Sequence, residues 1–320
     1  MEQGPWRASA GALCFPDRVS FRASAAPTPE DSMKLYSTLA TLAVALSPAA
    51  TFADHHKADT PASADAALAA VLAGDWRSAD NKSRDKYRHP SEALSFWGLS
   101  PGMTVLEVQP GGGWWTEILA PYAQRTGGRF YATAVDLSNP EVPEAARQSR
   151  AEFEQRYAAK PDVYGKIELV NWGLKSPPLP ANTFDFILTA RSVHGWIRNP
   201  GMVEKAFKDF AGALKPGGIL ALEQHRANPG PQDMKAVSGY VTEAFVIEQA
   251  EKAGLQLVAR SEINANPKDT KDHPFGVWTL PPTLRSTPYG DDATDPAFDH
   301  SKYVAIGESD RMTLKFVKPR

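Results

Sequence analysis

The 320 residues contain one cysteine, Cys14. That count excludes an intrachain disulfide and a cysteine-based zinc cluster, and it leaves little room for thiol chemistry. An excess of charge of one sign is also missing. The 35 Lys+Arg stand against 37 Asp+Glu, a formal charge of -2, so no overall field gathers nucleic acid or anionic lipid. No apolar run approaches the roughly 20 residues of a stable membrane span. His55, His56, His89, His194, His225 and Glu223 show no ligand spacing such as His-x-x-x-His, and no metal is expected. What the chain does have is 8 Trp and 27 Pro, the composition of a domain with stiff, aromatic-anchored loops. Its length suffices for one large core.

The beginning reads as a processing signal. Met33-Lys34-Leu35-Tyr36 leads into an apolar run from Leu39 to Leu46, then Ser47-Pro48, then the small-residue stretch Ala49 to Ala53. A basic start, a short apolar core, a helix breaker and small residues before the cut make a secretory signal peptide over residues 33–53. The alternative is a short buried helix. Residues 1–32 lack apolar periodicity and read as a non-native upstream extension, with the biological start at Met33. A periplasmic or secreted location follows. Cleavage after Ala53 would expose Asp54-His55-His56, in which a third-position His behind a free amine has the donor set of a square-planar copper or nickel site; a frayed polar tail is the plainer reading.

Residues 54–80 read as a linker with a short helix over Asp65 to Ala73, and residues 81–320 as one domain. Strands are expected at Thr104 to Val108, Phe130 to Val135, Ile167 to Val170, Phe184 to Thr189 and Ile219 to Glu223. Helices are expected over Trp114 to Tyr122, Glu144 to Tyr157 and Met202 to Leu214. This alternation implies parallel pairing and a sheet covered on both faces. A long helix over Asp233 to Ala253, a strand at Gln256 to Ser261 and an antiparallel strand at Met312 to Val317 complete the expectation.

The most informative segment runs from Val105 to Thr116. A buried strand ending in Glu107-Val108 enters Gln109-Pro110-Gly111-Gly112-Gly113 and then a helix. Glycines let the backbone approach a ligand closely at a helix N-terminus. Thr116 stands where the dinucleotide fingerprint has its third glycine, which counts against NAD or FAD. Asp136 ends the second strand, where a ribose-binding carboxylate sits in such sheets; a solvated turn residue is the alternative. For Glu107 the alternative is a structural cap on the glycine loop.

On these residues the chain resembles the class I S-adenosylmethionine-dependent methyltransferases, and more narrowly a group of predicted bacterial methyltransferases with signal peptides and the pattern Glu-x-x-Pro-Gly-Gly-Gly-Trp. Three matches carry the resemblance in order: Glu107 to Gly113 for the cofactor loop, Phe184 to Leu188 for the fourth strand, and Leu214 to Gly218 for the turn before the fifth. It implies a three-layer Rossmann-like sandwich with a mostly parallel seven-stranded sheet and an antiparallel C-terminal edge strand. It also implies S-adenosylmethionine as cofactor, with Glu107, Gly111, Gly112 and Gly113 around its methionine end and Asp136 on the ribose. Gly173 stands where the family places an acid for the adenine amino group. Adenine contacts then fall to backbone groups or Asn171, with Trp172 or Leu174 stacking on the base. Tyr87 or Arg88, in the charged segment Ser83 to Pro90, would reach the methionine carboxylate as part of a lid; a solvated helix start is the alternative.

Residues just after strands four and five face the transferring methyl in such a sheet. These include Arg191, His194, Trp196, Glu223 and His225. His194 and His225 are candidate bases, needed only if the acceptor must lose a proton, with hydrogen-bonded loop histidines as the alternative. Arg191, Trp196 and Glu223 are candidates for the substrate pocket, although core packing suits Trp196 equally. His273, Phe275, Trp278, Arg285 and Tyr289, in the late loop, are candidates for closing over a small-molecule acceptor, or for packed surface. Two alternatives accompany the enzyme: an exported, catalytically degenerate domain that binds a nucleoside-like ligand or a partner, and, less favoured, an NAD-dependent oxidoreductase. N-terminal sequencing of the protein recovered from a bacterial periplasm is expected to begin at Asp54. Any residue before Met33 would contradict the assigned start.

Overall fold

The computed structural model describes residues 61–288 and 294–320. The upstream extension, the signal segment, Asp54-His55-His56 and Tyr289 lie outside the described residues. In chain order the elements are α1 (Pro61–Ala73), α2 (Ala79–Ser83), α3 (Asp85–Arg88), α4 (Pro90–Trp97), β1 (Thr104–Val108), α5 (Thr116–Thr126), β2 (Arg129–Ala134), α6 (Glu144–Ala158), α7 (Pro161–Tyr164) and β3 (Ile167–Asn171). There follow β4 (Phe184–Ala190), α8 (Val193–Ile197), α9 (Met202–Ala213), β5 (Leu214–His225), α10 (Glu243–Lys252), β6 (Gln256–Ser261), α11 (Ser301–Ile306) and β7 (Arg311–Val317).

The seven strands form one sheet in the order β3-β2-β1-β4-β5-β7-β6. Pairing is parallel from β3 to β5 and antiparallel on both sides of β7. This is the expected Rossmann-like sandwich. In detail, the antiparallel C-terminal strand sits one place in from the rim, between β5 and β6. Central strands bury both faces. Leu106 and Val108 join the cluster built with Phe207 and Phe210 of α9, while Val105 packs with Trp97 of α4 and Ile118 of α5. α9 shows the cause: Met202, Val203, Ala206, Phe207, Phe210 and Ala213 recur at three- and four-residue spacing and are all buried.

The helix expected over Asp233 to Ala253 is shorter, starting only at Glu243. Ala236 (φ 44°) and Gly239 (φ 78°) are left-handed, which an α-helix excludes. The main chain of Val241 bonds instead to the end of β5: its N–H donates to His225 O at 2.9 Å, and its carbonyl accepts from Ala227 N at 2.8 Å. Thr242 then caps α10, accepting from Phe245 N. Residues 233–241 therefore form a loop beside the β5 end. The fifth strand is longer than expected, because the 215–218 turn stays paired to the C-terminal segment through Gly217 N→Lys318 O and Lys318 N→Gly218 O.

Candidate active site

β4 returns to the far side of β1 from β2, so the connections leaving β1 and β4 diverge and open a crevice at their C-terminal ends. The turn after β1 fills one wall. Gln109 (φ 51°), Gly111 (φ 55°) and Gly113 (φ 80°) are all left-handed, leading into α5. Gln109 tolerates this strained backbone because it is held at both ends. Its N–H donates to Thr133 Oγ1 at 2.8 Å, and its Oε1 accepts from Trp196 Nε1 at 2.9 Å. At Gly113 a Cβ would stand 1.8 Å from the Tyr157 hydroxyl oxygen, so only glycine fits. Around Gly112 a Cβ would meet nothing within 4 Å, and this part of the turn presents bare backbone to open space.

Beneath the turn lies Glu107, 2% exposed, with Thr116 Oγ1 donating to its Oε2 at 2.6 Å. Burial pushes its carboxyl up to about 8, although the Thr116 hydrogen bond and Arg191 pull the other way. At neutral pH it is mostly protonated, a neutral acid waiting beside the cavity.

That cavity, of about 370 Å³, is lined by Glu107 and Gln109 to Gly112 from β1 and its turn, by Ala190 to Ser192 after β4, and by Arg84, Arg88, His225, Trp278, Pro281, Glu308 and Ser309 among others. A charged network surrounds it. Arg84 Nε and Arg88 Nε donate to the two oxygens of Glu308 at 2.6 and 3.0 Å. Arg311 Nη1 reaches Glu308 at 3.2 Å and the fully buried Glu223 at 2.8 Å, and Arg191 Nη1 reaches Glu223 at 3.2 Å. Burial alone would raise the Glu308 carboxyl, but Arg88, Arg311 and Arg84 overcome it and hold it at about 2. Glu223 is likewise held down by Arg311, Arg191 and Arg88 against its burial.

A second cavity of about 320 Å³ shares Gln109, Pro110 and Gly111 with the first and extends past Thr133 to Val135, Arg150 and Trp172. A third, of about 330 Å³, shares Val135 and Trp172 with the second and contains Asp136, Gly173, Leu174 and Ser176. The three follow one another across the ends of β4, β1, β2 and β3. Asp136 accepts from the Ser138 hydroxyl at 2.6 Å, the Ser138 N–H at 3.0 Å and Asn171 Nδ2 at 3.3 Å, and these Ser138 bonds hold its carboxyl below the ordinary range. Arg150 lines the second cavity, donating to Val135 O at 2.6 Å and Asn171 Oδ1 at 2.7 Å. Leu174, on the wall of this third cavity, and Leu137, next to Asp136 in the chain, expose 39% and 43% of their surface.

The other expected residues separate into those at the cavity and those behind it. Arg88, Arg191 and His225 line the first cavity, as does Trp278 from the late loop. Glu223 stands behind Arg191 and acts through it. Tyr87 is outside the wall, its carbonyl accepting from Arg311. Trp196 is buried against Trp172 and Phe210 and holds Gln109. Trp172 is buried too, its indole N–H donating to Asp209 at 2.8 Å. His273 is tied to buried Asp269 at 2.8 Å and anchors the late loop. Arg84, Arg311, Glu308 and Ser309 had not been singled out from sequence. The only local signals were the four-residue spacing of Arg84 and Arg88 and the three-residue spacing of Glu308 and Arg311.

The two histidines differ. Gln224 Oε1 accepts from Val193 N at 3.1 Å, so its amide nitrogen is the donor toward His194 Nδ1 at 3.2 Å, and the neutral His194 ring carries its proton on Nε2. Burial, with Arg198 adding to it, lowers His194 to about 4. His225 shares a 2.6 Å hydrogen bond between Nδ1 and Ser309 Oγ, and burial followed by His194 and Arg191 holds it well below the ordinary imidazole range. Both rings are neutral near pH 7, and His225 is the one that borders the cavity.

A family described as "Methyltransferase domain" matches residues 106–222. The demethylmenaquinone methyltransferase of Bacillus licheniformis is 28% identical over 143 residues, 44% of this chain; the chain spans about half, 53%, of that relative's length. Among solved structures, an S-adenosylmethionine-dependent methyltransferase from Aquifex aeolicus is 24% identical with a TM-score of 0.41, covering 57% of this chain and 87% of its own. A putative sarcosine dimethylglycine methyltransferase from Galdieria sulphuraria is 15% identical with a TM-score of 0.47, covering 74% and 86%. The [4+2]-cyclase SpnF is 16% identical with a TM-score of 0.48, covering 77% and 85%.

The raised Glu107 carboxyl makes stability depend on pH. Between the ordinary glutamate value of about 4.3 and about 8, the folded chain keeps a proton that the unfolded chain releases. This contribution to stability therefore declines as pH rises through that window. Glu107→Gln can still accept from Thr116 and has no proton to lose. Its melting temperature relative to wild type is expected to climb between about pH 5 and pH 8. A difference that stays constant across the range would mean that Glu107 is ionised throughout.

Proposed function

Starting from the class I, S-adenosylmethionine-dependent methyltransferase domain that this chain carries, we propose that the protein transfers a methyl group to a small or medium-sized acceptor held in the Arg191–His225 cavity. The observation that carries the reading is the continuous row of three cavities across the ends of β4, β1, β2 and β3, starting at a glycine turn that presents bare backbone. The donor, when bound, supplies a methyl on a sulfonium sulfur for in-line displacement.

The chain's own residues do the rest. Gly111 to Gly113 accommodate the methionine end, and Glu107 becomes the anion beside its positive charges when their field draws its carboxyl down. Arg88 meets the methionine carboxylate. Asp136 takes the ribose hydroxyls in exchange for its Ser138 bonds, and Leu137 and Leu174 flank the base in the cavity that Gly173 leaves without an acid. Asn171 supports Asp136 rather than facing the ligand alone, and Trp172 forms the floor shared by the second and third cavities. Arg191 and Trp278 wall the acceptor, whose reacting atom must stand about 3 Å from the methyl and in line with the leaving sulfur. His225 Nε2 is the position for a base. Its depressed basicity suits an acceptor that needs a hydrogen-bond acceptor more than full proton removal. His194 orients this end of the cavity through Gln224. Export through residues 33–53 belongs to the same reading.

One observation favours a second reading, that of a degenerate nucleoside-binding domain of the same fold: Gly173 stands in the third cavity, where the resemblance places an acid for the adenine amino group. Calorimetry against S-adenosylmethionine, S-adenosylhomocysteine and NAD tests both. Donor binding with methyl transfer to components of an acceptor mixture is expected. Binding without transfer supports the degenerate domain, and preference for NAD overturns the methyltransferase reading. Asp136→Ala is expected to weaken donor binding by about tenfold or more, and unchanged affinity would remove Asp136 from the site.

A further inference from the structure

The charges around the first cavity do not cancel. Among the described residues, the guanidinium groups of Arg84, Arg88, Arg191 and Arg311 converge there on two carboxylates, Glu223 and Glu308. Glu107 is largely neutral. A neighbouring cluster gives the contrast: Arg226 and Lys271 meet Glu262 and Asp310, two cations with two anions.

Two of these guanidinium groups, those of Arg88 and Arg311, are buried, while Arg84 and Arg191 are partly exposed. Arg88 is 3% exposed, its guanidinium stacked 4.7 Å from the Trp114 ring centroid, and among the described residues its Nη1 has no acceptor. Trp115, another wall residue, likewise carries a buried indole N–H with no partner among the described residues. Burial, then Arg191, depresses the Arg88 guanidinium against the pull of Glu308, a carboxylate that Arg88 shares with Arg84 and Arg311. Arg191 holds a left-handed backbone (φ 59°), its N–H fixed to Glu223 O at 2.7 Å, and its side chain on the cavity wall. A partly buried cationic surplus of this kind is costly unless an anion completes it.

The cofactor does not complete it. S-adenosylmethionine brings one carboxylate together with an ammonium and a sulfonium, so it adds net positive charge. Even with Glu107 ionised, the cavity stays cationic.

We propose that the methyl acceptor is itself an anion, a small carboxylate- or phosphate-bearing molecule whose charged group is received by Arg191, while Arg88 faces the donor's carboxylate. This deepens the methyltransferase reading and rests on it. The acceptor's anion supplies the missing counter-charge, and guanidinium groups suit it because their paired N–H donors match two oxygens at once. Donor and acceptor would then assist each other's binding, since each leaves the cavity better balanced for the other.

The test is calorimetry at constant ionic strength on the full chain saturated with S-adenosylhomocysteine, using succinate, inorganic phosphate and the neutral isostere succinamide as probes. Saturable binding of succinate or phosphate, with succinamide at least about tenfold weaker, is expected. Preference for succinate identifies a carboxylate acceptor, and preference for phosphate a phosphorylated one. Arg191→Gln is expected to weaken the preferred anion by about tenfold or more. If that variant does not fold, the succinate-to-succinamide ratio of the wild type decides alone. Binding of S-adenosylhomocysteine with no binding of either anion, or with equal binding of succinamide, overturns this proposal. Failure of S-adenosylhomocysteine to bind overturns the methyltransferase reading instead.

Discussion

A parting of two neighbouring strands is the constraint on which the site depends. β1 and β4 are hydrogen-bonded along Val105 to Val108, yet the chain leaves them in opposite directions, toward α5 on one side and α8 on the other. Nothing in the sheet can cover the gap, and the side chains at these two strand ends face a cleft. Glu107, the glycine turn, Arg191 and the loop bearing Trp278 meet there because the topology leaves them no other place. Core packing keeps the gap open: Trp196, wedged among Trp172, Phe207 and Phe210, holds Gln109, and Tyr157 closes on Gly113 from the other side.

Electrostatics then differentiates the two ends of this row of cavities. At the glycine turn, burial keeps Glu107 neutral until a positive charge arrives, while four arginines share two carboxylates. At the far end, Asp136 is exposed enough to stay ionised and is already supported by Ser138 and Asn171. One end thus gathers positive charge around a neutral acid, and the other holds an ionised carboxylate.

Much of this was legible in the sequence where it depends on local patterning. The strands at Thr104 and Gln256 have the expected bounds, the helices at Glu144 and Met202 agree within a residue, and the glycine turn is where strand, bend and helix follow one another in eight residues. Less legible was whatever depends on distant segments meeting. Arg84 and Glu308 lie 224 residues apart and neither belongs to a local motif, so their pairing emerges only when β7 inserts beside β5. The overlong helix expected from Asp233 fails for the same reason. Its composition suits a helix, but Gly239 lies against Val277 of a later loop and Val241 is claimed by the end of β5. His194 and His225 were found as a pair, whereas the tautomer that separates their roles is set by Gln224 and Val193.

The account stands on the crevice between β1 and β4 as the seat of the cofactor's methionine end, and a crystal structure with S-adenosylhomocysteine tests that directly. The account predicts the homocysteine portion against Gly111 to Gly113 beside Glu107, and the ribose on Asp136. A ligand bound elsewhere on the sheet, or one leaving Asp136 untouched, would contradict it.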